Sequence, residues 1–227
     1  MHPMHPMNPL DLASHGPVIP VIVIDRIADA VPLARALVAG GVKVLEVTLR
    51  TPAALQGLRD IAQALPEAIV GAGTIRSVDD ARAALAAGCQ FGVTPGYCRD
   101  IGLACNDIGL PLLPGVATAS EVMSASSDGH RLLKFFPAAA AGGVPMLQAL
   151  AGPFADLRFC PTGGVTAQTA PQYLALPNVP VCGGSWLTPA DVVARRDWAR
   201  ISALARAASA LRQGSRPTDA GTTGKRA

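Results

Sequence analysis

The chain has 227 residues, 50% of them hydrophobic and 15% charged, which suits one well-buried domain and is too short for two. Its formal net charge of +3 lies mostly in the C-terminal tail, so the near-neutral body gives no reason to expect a nucleic-acid partner. The longest apolar stretches fall far short of the ~20 residues of a membrane helix, so we expect no membrane partner either.

The cysteines and histidines indicate the cellular location of the protein and whether it holds a metal. The five cysteines are odd in number and form no C-x-x-C pair, and the N-terminus lacks the features of a signal peptide. We therefore expect reduced thiols and a cytoplasmic location. Three of the four histidines lie within the first 15 residues, and no two have the spacing of metal ligands on one element, so we expect no metal site.

From residue 17 onward the chain repeats one pattern: a short apolar run, a few turn residues, a helical stretch and often a glycine. Strands are predicted at residues 18–24, 44–49, 69–72, 91–94, 110–113, 132–136, 158–161 and 179–182. Helices are predicted at residues 27–39, 51–65, 77–88, 100–108, 120–125, 144–150, 166–176 and 188–211. Disordered tails are predicted at residues 1–16 and 213–227, around one domain at 17–212.

Eight strand–helix alternations predict an α/β protein with a parallel sheet. Eight repeats favour closure of that sheet into a (β/α)8 TIM barrel. The alternative is an open, doubly wound sheet, but no G-x-G-x-x-G follows the first strand, where Pro20 and Asp25 stand instead. The closed barrel is therefore the favoured fold.

Lysine is used sparingly in this sequence, which has three lysines against sixteen arginines. One of the three, Lys134, lies inside the apolar run 132–136. Lysine is rarely fully buried without a partner or a function, and unlike arginine it can lose its proton when desolvated and act as an amine nucleophile. Taken alone, Lys134 could equally be a snorkelling or ion-paired residue near a strand end or a covalent catalyst.

The second predicted strand alternates polar and apolar residues. Because successive side chains point to opposite faces, Glu46, Thr48 and Arg50 share the interior face, with Arg50 nearer the end of the strand. Taken alone, Glu46 and Arg50 read as a buried ion pair. Together with an interior lysine on another strand, they predict a catalytic site, because a carboxylate, an amine and a guanidinium would share one cavity.

Two glycine pairs follow the last two strands. Gly163 and Gly164 come after the seventh strand, and Gly183, Gly184 and Ser185 come after the eighth. Barrel enzymes often bind phosphate with the backbone N–H groups of these two loops. The combined hypothesis is a barrel that holds the phosphate of a small substrate there while a lysine imine forms at the substrate's other end.

At these positions the sequence resembles the class I 2-dehydro-3-deoxy-phosphogluconate aldolases, the KDPG/KHG aldolase family of the Entner–Doudoroff pathway. The resemblance spans about residues 16–211. It is carried by the segments GPVIPV (16–21), LEVTLRT (45–51), VGAGT (70–74), KFFPA (134–138), RFCPTGG (158–164) and GGSW (183–186).

The resemblance implies a carbon–carbon lyase that cleaves a phosphorylated 2-keto acid, 2-dehydro-3-deoxy-6-phosphogluconate, to pyruvate and glyceraldehyde 3-phosphate. It implies that Lys134 forms the Schiff base, that Glu46 is the general acid/base, and that Arg50 and Thr74 bind the pyruvate carboxylate. The further substrate contacts that it implies are Pro95, Phe136, Thr162, Gly163, Gly164, Gly184 and Ser185. It also implies a homotrimer that uses neither a metal nor another cofactor.

The sequence departs from the family pattern in two places. Ala139 and Ala141 stand where relatives carry glutamate and asparagine, and Thr94 stands where serine is common. Neither departure affects the lysine, the glutamate or the arginine, but the first leaves the substrate preference open. The alternatives are therefore a 4-hydroxy-2-oxoglutarate aldolase, a 2-dehydro-3-deoxy-6-phosphogalactonate aldolase and, outside the enzymes, a sugar-phosphate-binding barrel.

Overall fold

A computed structural model describes residues 9–211, in which parallel strands alternate with helices along the chain. The strands are β1 (Val18–Ile22), β2 (Val44–Thr48), β3 (Ile69–Gly73), β4 (Phe91–Val93), β5 (Leu112–Leu113), β6 (Gly115–Val116), β7 (Leu132–Phe135), β8 (Arg158–Pro161) and β9 (Cys182–Gly184). The helices are a 3-10 helix (Pro9–His15), α1 (Ile27–Ala39), α2 (Ala54–Ala64), α3 (Val78–Ala86), α4 (Arg99–Ile108), α5 (Ala119–Ser127), α6 (Gly143–Ala151), α7 (Ala170–Leu174), α8 (Ala190–Ala194) and α9 (Trp198–Ser209).

The strands form two parallel ladders, in the orders β5-β4-β3-β2-β1-β9 and β6-β7-β8. Pro114 separates β5 from β6 because proline has no amide hydrogen to give to a ladder. At the other edge β8 lies beside β9, and the Phe159 amide donates to the Asn178 carbonyl at 2.8 Å shortly before β9 begins. The predicted α/β class with a curled parallel sheet is confirmed; β1 to β5 are neighbours in chain order, and β9 pairs with β1.

Alternate residues of the strands point into the space that the curled sheet encloses. Val44 packs there, below Glu46, while Leu45 and Val47 of the same strand pack in the outer layer with the helices. This confirms the predicted alternation of β2. The lower interior is an apolar cluster whose buried members are Leu12, Ala13, Ile19, Val44, Phe91, Val93, Leu113, Leu132, Cys160 and Val181.

The predicted disorder of residues 1–16 is wrong for residues 9–16. Pro9–His15 form a 3-10 helix in which Leu12 and Ala13 are buried. Both side chains pack against the apolar cluster at the N-terminal ends of the strands, and this burial offsets the conformational entropy of ordering the segment. The remaining predicted tail residues, 1–8 and 213–227, lie outside the described residues.

Several helix ends also differ from the sequence-based expectations. Ser77 caps α3 at the start of the helix predicted there, since its side chain accepts from the Asp80 amide. Thr51 does not cap α2; its hydroxyl donates to the Ile24 carbonyl instead. The last predicted helix is divided into α8 and α9, because Arg196 takes a left-handed φ of 57° and Asp197 starts α9 by accepting from the Arg200 amide.

No helix between residues 9 and 211 is both long enough and apolar enough to cross a lipid bilayer.

Candidate active site

Lys134 and Glu46 form an ion pair inside the curled sheet. Lys134 lies on β7 and Glu46 on β2, and the Lys134 Nζ donates to the Glu46 Oε1 at 3.1 Å. Only 4% of Lys134 and 2% of Glu46 are exposed to solvent. The inward direction predicted for Glu46 from strand alternation is confirmed, and it meets Lys134 although 88 positions separate the two residues in sequence.

The space for this pair comes from a missing side chain on β3. A Cβ at Gly73 would stand 2.3 Å from the Glu46 Oε1 and 2.8 Å from its Cγ. Glycine at that position therefore lets the carboxylate lie across β3 and reach the lysine. The Phe136 ring centroid is 5.3 Å from the Lys134 Nζ, a distance at which an aromatic face attracts an ammonium group.

The buried pair can exchange a proton without creating a separated charge. With the proton on Lys134 the two groups form an ammonium–carboxylate pair, and with the proton on Glu46 they are a neutral amine and a neutral acid. Both states have a net charge of zero. Moving the proton within the pair therefore costs less free energy than creating an unpaired charge at a buried position. The arrangement can thus expose a nucleophilic amine and an acid/base group at the same point.

Arg50 and Thr74 meet just beyond the ends of β2 and β3. The Arg50 Nε donates to the Thr74 Oγ1 at 3.2 Å, and Thr74 holds a left-handed φ of 63°. The Leu49 amide donates to the Gly73 carbonyl at 2.8 Å and keeps the two loops side by side. Among residues 9–211 the Arg50 side chain has no other partner, so its two terminal nitrogens are free to bind a carboxylate in a bidentate manner.

Pro95 lies beyond the end of β4, where the backbone of β6 approaches it closely. A Cβ at Gly115 would be 2.4 Å from the Pro95 carbonyl oxygen, so glycine is needed for this contact. The Gly115 amide donates to the Thr94 Oγ1 at 3.1 Å, which ties the β4 loop to β6 beside Lys134, the register partner of Gly115. Thr94 thus has a structural contact that its position before Pro95 did not reveal.

Gly163 and Gly164 take left-handed φ angles of 96° and 74°, which favour glycine. Thr162, just before them, is buried, and Gly183 leaves room for its Oγ1, which a Cβ on residue 183 would approach to 2.2 Å. The loop lies against residues 138–139: the Ala138 amide donates to the Thr162 carbonyl at 2.7 Å, and a Cβ at Gly164 would be 2.5 Å from that of Ala139. A larger residue at 139 would therefore border this loop directly.

Gly184 and Ser185 lie at the end of β9, next to β1. The Trp186 ring covers Gly184 so closely that a Cβ there would be 1.7 Å from a ring carbon. Ser185 lines a cavity of about 490 Å³ between the loops that follow β1 and β9. That cavity extends to Val21, the register partner of Glu46, so it opens beside the strand pair that carries the carboxylate.

One interior residue near the pair was not predicted as part of the site. Cys160 on β8 is the register partner of Lys134 and is buried in the apolar cluster. Burial raises the pKa of its thiol to about 12, and the charge of Glu46 acts in the same direction while Lys134 opposes it. The thiol therefore stays neutral beside the ion pair. Cys160 lies two positions before Thr162, and this alternation was the sequence signal that would have placed it on the interior face.

Within the described part of the chain, no three histidine, cysteine, aspartate or glutamate side chains come together as metal ligands would. All five cysteines are free thiols. A second cavity, of about 510 Å³, lies near Pro9 and His130 at the opposite ends of the strands, away from Lys134. The groups that the structure places at the site are the Lys134 amine on β7, the Glu46 carboxylate on β2 and the Arg50 guanidinium in the loop after β2.

Comparisons with known proteins agree with this chemistry. The sequence model of the KDPG and KHG aldolases matches residues 11–204. The chain is 52% identical over 199 residues to the 2-dehydro-3-deoxy-phosphogluconate aldolase of Dickeya dadantii (strain 3937), covering 88% of this chain and 93% of that protein. It is 51% identical over 197 residues to the KHG/KDPG aldolase of Escherichia coli (strain K12), covering 87% and 92%.

A solved structure is similar over nearly the whole described region. This is the KDPG aldolase of Legionella pneumophila with pyruvate captured at low pH as a covalent carbinolamine intermediate. It has a TM-score of 0.88 and 45% sequence identity, and the match covers 89% of this chain and 98% of that one.

Proposed function

The chain belongs to the KDPG and KHG aldolase family, and we propose that the Lys134–Glu46 pair is its reactive centre. The enzyme is a class I aldolase, a carbon–carbon lyase that cleaves 2-dehydro-3-deoxy-6-phosphogluconate to pyruvate and glyceraldehyde 3-phosphate. This is the aldol cleavage of the Entner–Doudoroff pathway. The observation that carries the assignment of the centre is the buried contact at 3.1 Å between the Lys134 Nζ and the Glu46 Oε1.

The first step is the formation of the imine. The neutral amine of Lys134 attacks the C2 carbonyl carbon of the substrate and gives a carbinolamine, and Glu46 supplies and removes the protons that this addition requires. Loss of the C2 oxygen as water leaves a positively charged imine. Glu46 is then ionised beside it, which stabilises that charge in a site from which most solvent is excluded.

The second step is the cleavage. Glu46 accepts the proton of the C4 hydroxyl, the C3–C4 bond breaks, and its electron pair moves into the imine to give the pyruvate enamine. Glyceraldehyde 3-phosphate leaves with the C4 aldehyde. Glu46 then returns the proton to C3, and hydrolysis of the imine releases pyruvate and restores the amine of Lys134.

Arg50 and Thr74 bind the carboxylate of the pyruvate portion. The Arg50 Nε is held by the Thr74 Oγ1 at 3.2 Å, which fixes the plane of the guanidinium and leaves its terminal nitrogens for the substrate. Pro95 and Phe136 form the apolar walls around the reacting carbon atoms, since both follow the ends of strands that flank the site. These walls keep water from the enamine.

The phosphate group binds at the ends of β8 and β9. Gly163, Gly164, Gly184 and Ser185 offer backbone N–H groups and a hydroxyl, and glycine lets the backbone approach the anion closely. Thr162 supports the first of these loops from inside the sheet, because its carbonyl accepts from the Ala138 amide. A phosphate held there lies at the opposite end of the substrate from the carboxylate bound by Arg50.

The experiment that tests the centre is reduction with borohydride in the presence of pyruvate. The expected result is a stable adduct that mass spectrometry locates on the peptide containing Lys134. An unmodified Lys134 peptide would overturn the imine mechanism and leave a sugar-phosphate-binding barrel as the remaining interpretation. That interpretation also predicts that phosphorylated ligands bind equally well to the wild type and to Lys134→Ala.

A second substrate is favoured by the name of one relative. The Escherichia coli protein, 51% identical to this chain, is a KHG/KDPG aldolase, so we propose that 4-hydroxy-2-oxoglutarate is also cleaved. Comparing kcat/KM for this unphosphorylated substrate and for 2-dehydro-3-deoxy-6-phosphogluconate measures the preference. The galactonate-derived epimer, which differs at C4, is the third substrate to be compared in the same assay.

We also propose that the sheet closes into a complete barrel, that the protein forms a homotrimer and that it is located in the cytoplasm. Chain-order pairing in the long ladder and the adjacency of β8 and β9 favour a closed (β/α)8 barrel. Hydrogen exchange tests the closure, since amides of β8 and β9 should be as protected as those of β2 and β3.

A homotrimer, expected from the family resemblance, is tested by sedimentation equilibrium. Five free thiols favour the cytoplasm, which cell fractionation would check.

A further inference from the structure

The cavity between the loops after β1 and β9 contains a charged side chain that the mechanism above does not use. Ser185, Asp25 and Arg26 all line this cavity of about 490 Å³. Since Ser185 is assigned to the phosphate, Arg26 lines the same space that the phosphorylated end of the substrate would enter. The position of Arg26 therefore raises the question of whether it recognises that end.

Arg26 is fixed by one strong contact and otherwise free. Its Nε donates to the Asp29 Oδ2 at 2.7 Å, and Asp29 is only 5% exposed in the first turn of α1. Within residues 9–211 the Arg26 side chain has no other hydrogen-bond partner, so both terminal nitrogens remain available as donors. A guanidinium that is held at Nε and free at its terminal nitrogens can bind an oxyanion in a bidentate manner.

The charge of Arg26 is not cancelled by Asp29. The other oxygen of that carboxylate, Oδ1, is bound by the Arg196 Nε at 2.8 Å. Two guanidinium groups thus share one carboxylate, and the cluster of Arg26, Asp29 and Arg196 has a net charge of +1. Arg196 makes this contact from a left-handed φ of 57°, in the turn that separates α8 from α9.

Asp25 places a charge of the opposite sign in the same cavity. It is exposed, and it has no ion pair within the described region. A phosphate dianion would be attracted to Arg26 and repelled by Asp25, so the two neighbouring residues should affect phosphate binding in opposite directions. A residue that only supported the loop would not produce this change of sign.

We propose that Arg26 is a specificity-determining residue that selects substrates bearing a phosphate group. The inference rests on the proposed function, because it assumes that Ser185 and the glycine loops hold the phosphate. Arg26 adds a charge-assisted contact to those backbone donors and does not touch the bonds that react. Its removal therefore changes the binding of phosphorylated substrates and leaves the chemistry at Lys134 intact.

The test compares 2-dehydro-3-deoxy-6-phosphogluconate with 2-dehydro-3-deoxygluconate, which lacks the phosphate. Arg26→Gln should raise KM for the phosphorylated substrate about tenfold. This is the lower end of the range expected for losing a charged hydrogen bond, because the Arg26 side chain is 52% exposed and water weakens the contact. Its kcat should stay within about twofold, as should kcat/KM for the unphosphorylated substrate. Asp25→Asn should lower KM for the phosphorylated substrate.

The matched control is Arg195→Gln. Arg195 is an exposed arginine at the end of α8 that pairs with Asp191 and does not line the cavity, so its removal should alter neither substrate's KM. Equal losses for both substrates in Arg26→Gln would show a structural role and overturn the proposal. An unchanged KM for the phosphorylated substrate would overturn it as well.

Binding of inorganic phosphate separates this inference from the proposed function. Isothermal titration of the wild type and Arg26→Gln requires no turnover, so it can be interpreted even if pyruvate fails to label Lys134. About tenfold weaker phosphate binding in the variant supports the role of Arg26. Equal affinities contradict it, whatever the outcome of the labelling experiment.

Discussion

The lower and upper halves of the sheet interior use the same strands for different purposes. In the lower half, Val44 and Leu132 belong to an apolar cluster that the 3-10 helix covers with Leu12. Two residues further along the same strands, about 6.6 Å higher, stand Glu46 and Lys134. One step of the strand repeat therefore separates a packed hydrophobic core from a buried pair of charged groups.

The difference shows how a small protein accommodates two buried charges. The lower cluster supplies burial energy and closes the N-terminal end against water, while the upper layer uses glycine to make room for polar groups. Changes in the lower half should therefore alter stability with little effect on the chemistry. Changes in the upper half should alter the chemistry more than the stability.

The largest effect is expected for Lys134→Arg. It keeps the positive charge beside Glu46 but removes the amine nucleophile, so turnover should fall by at least about 1,000-fold. A coupled assay for pyruvate measures this, and circular dichroism checks that cooperative unfolding is kept. Lys43→Arg, a change on an exposed lysine, should leave the activity unchanged. Residual activity near the wild-type level in Lys134→Arg would refute the proposal that the Lys134 amine is the nucleophile.

Glu46→Gln should remove proton transfer while leaving the amine in place. We expect kcat to fall about 100- to 10,000-fold, whereas borohydride should still trap pyruvate on Lys134, although more slowly. The exposed Glu67→Gln serves as the control and should have wild-type kcat. A kcat within tenfold of the wild type would mean that another group, or water, carries the proton.

Leu12→Ala tests the lower half. Leu12 is fully buried in the apolar cluster, so its truncation should lower the free energy of unfolding by about 2–5 kcal/mol. The kcat measured below the transition temperature should remain within about twofold of the wild type. Urea titration measures the stability, and the exposed Leu103→Ala provides the reference. A large loss of kcat in folded Leu12→Ala would show that the two halves are not independent.

Gly73→Ala tests the clearance in the upper half. The added Cβ would meet the Glu46 Oε1 at 2.3 Å and push the carboxylate away from Lys134, so kcat should fall by roughly 10- to 100-fold. The added Cβ meets only the Glu46 side chain among its nearest neighbours and no backbone atom, so the stability should change less than in Leu12→Ala. Gly152→Ala, where a Cβ meets only one atom at 3.9 Å, is the control. Unchanged kcat would indicate that the position of Glu46 is not critical.

The smallest effect concerns pH and His130, near the lower end of β7. Burial lowers the pKa of its imidazole. The charge of Arg131 also lowers this pKa, whereas the charge of Asp128 raises it. The folded protein therefore favours neutral His130. The free energy of unfolding keeps its full value above the unfolded pKa of about 6.5 and decreases as the pH falls below it, because the unfolded chain then binds a proton more readily. Urea titrations at pH 7.5 and 5.5 should show a smaller decrease in His130→Gln than in the wild type. Equal decreases would assign the pH dependence to other groups.

Much of this arrangement could be predicted from local sequence patterns. The alternation in β2 placed Glu46 on the interior face, and an isolated lysine within an apolar run marked Lys134. The glycine pairs marked the loops after the last two strands of the predicted barrel. These predictions succeeded where the structure tests them because side-chain direction in a strand and turn preferences depend on nearby residues.

Other features depended on residues far apart in the sequence. The 3-10 helix was missed because its order comes from burying Leu12 against strands that the segment does not itself contain. The division of α8 from α9 was missed because Arg196 pairs with Asp29, far earlier in the chain.

The sequence by itself determined the alternation of strands and helices and the side of β2 on which Glu46 lies. Only the tertiary structure decided that Glu46 lies 3.1 Å from Lys134, that Gly73 leaves space for it, and that Arg26 shares a cavity with Ser185. The reason is physical: periodicity fixes the direction of a side chain, whereas distances between strands follow from their register and the curvature of the sheet.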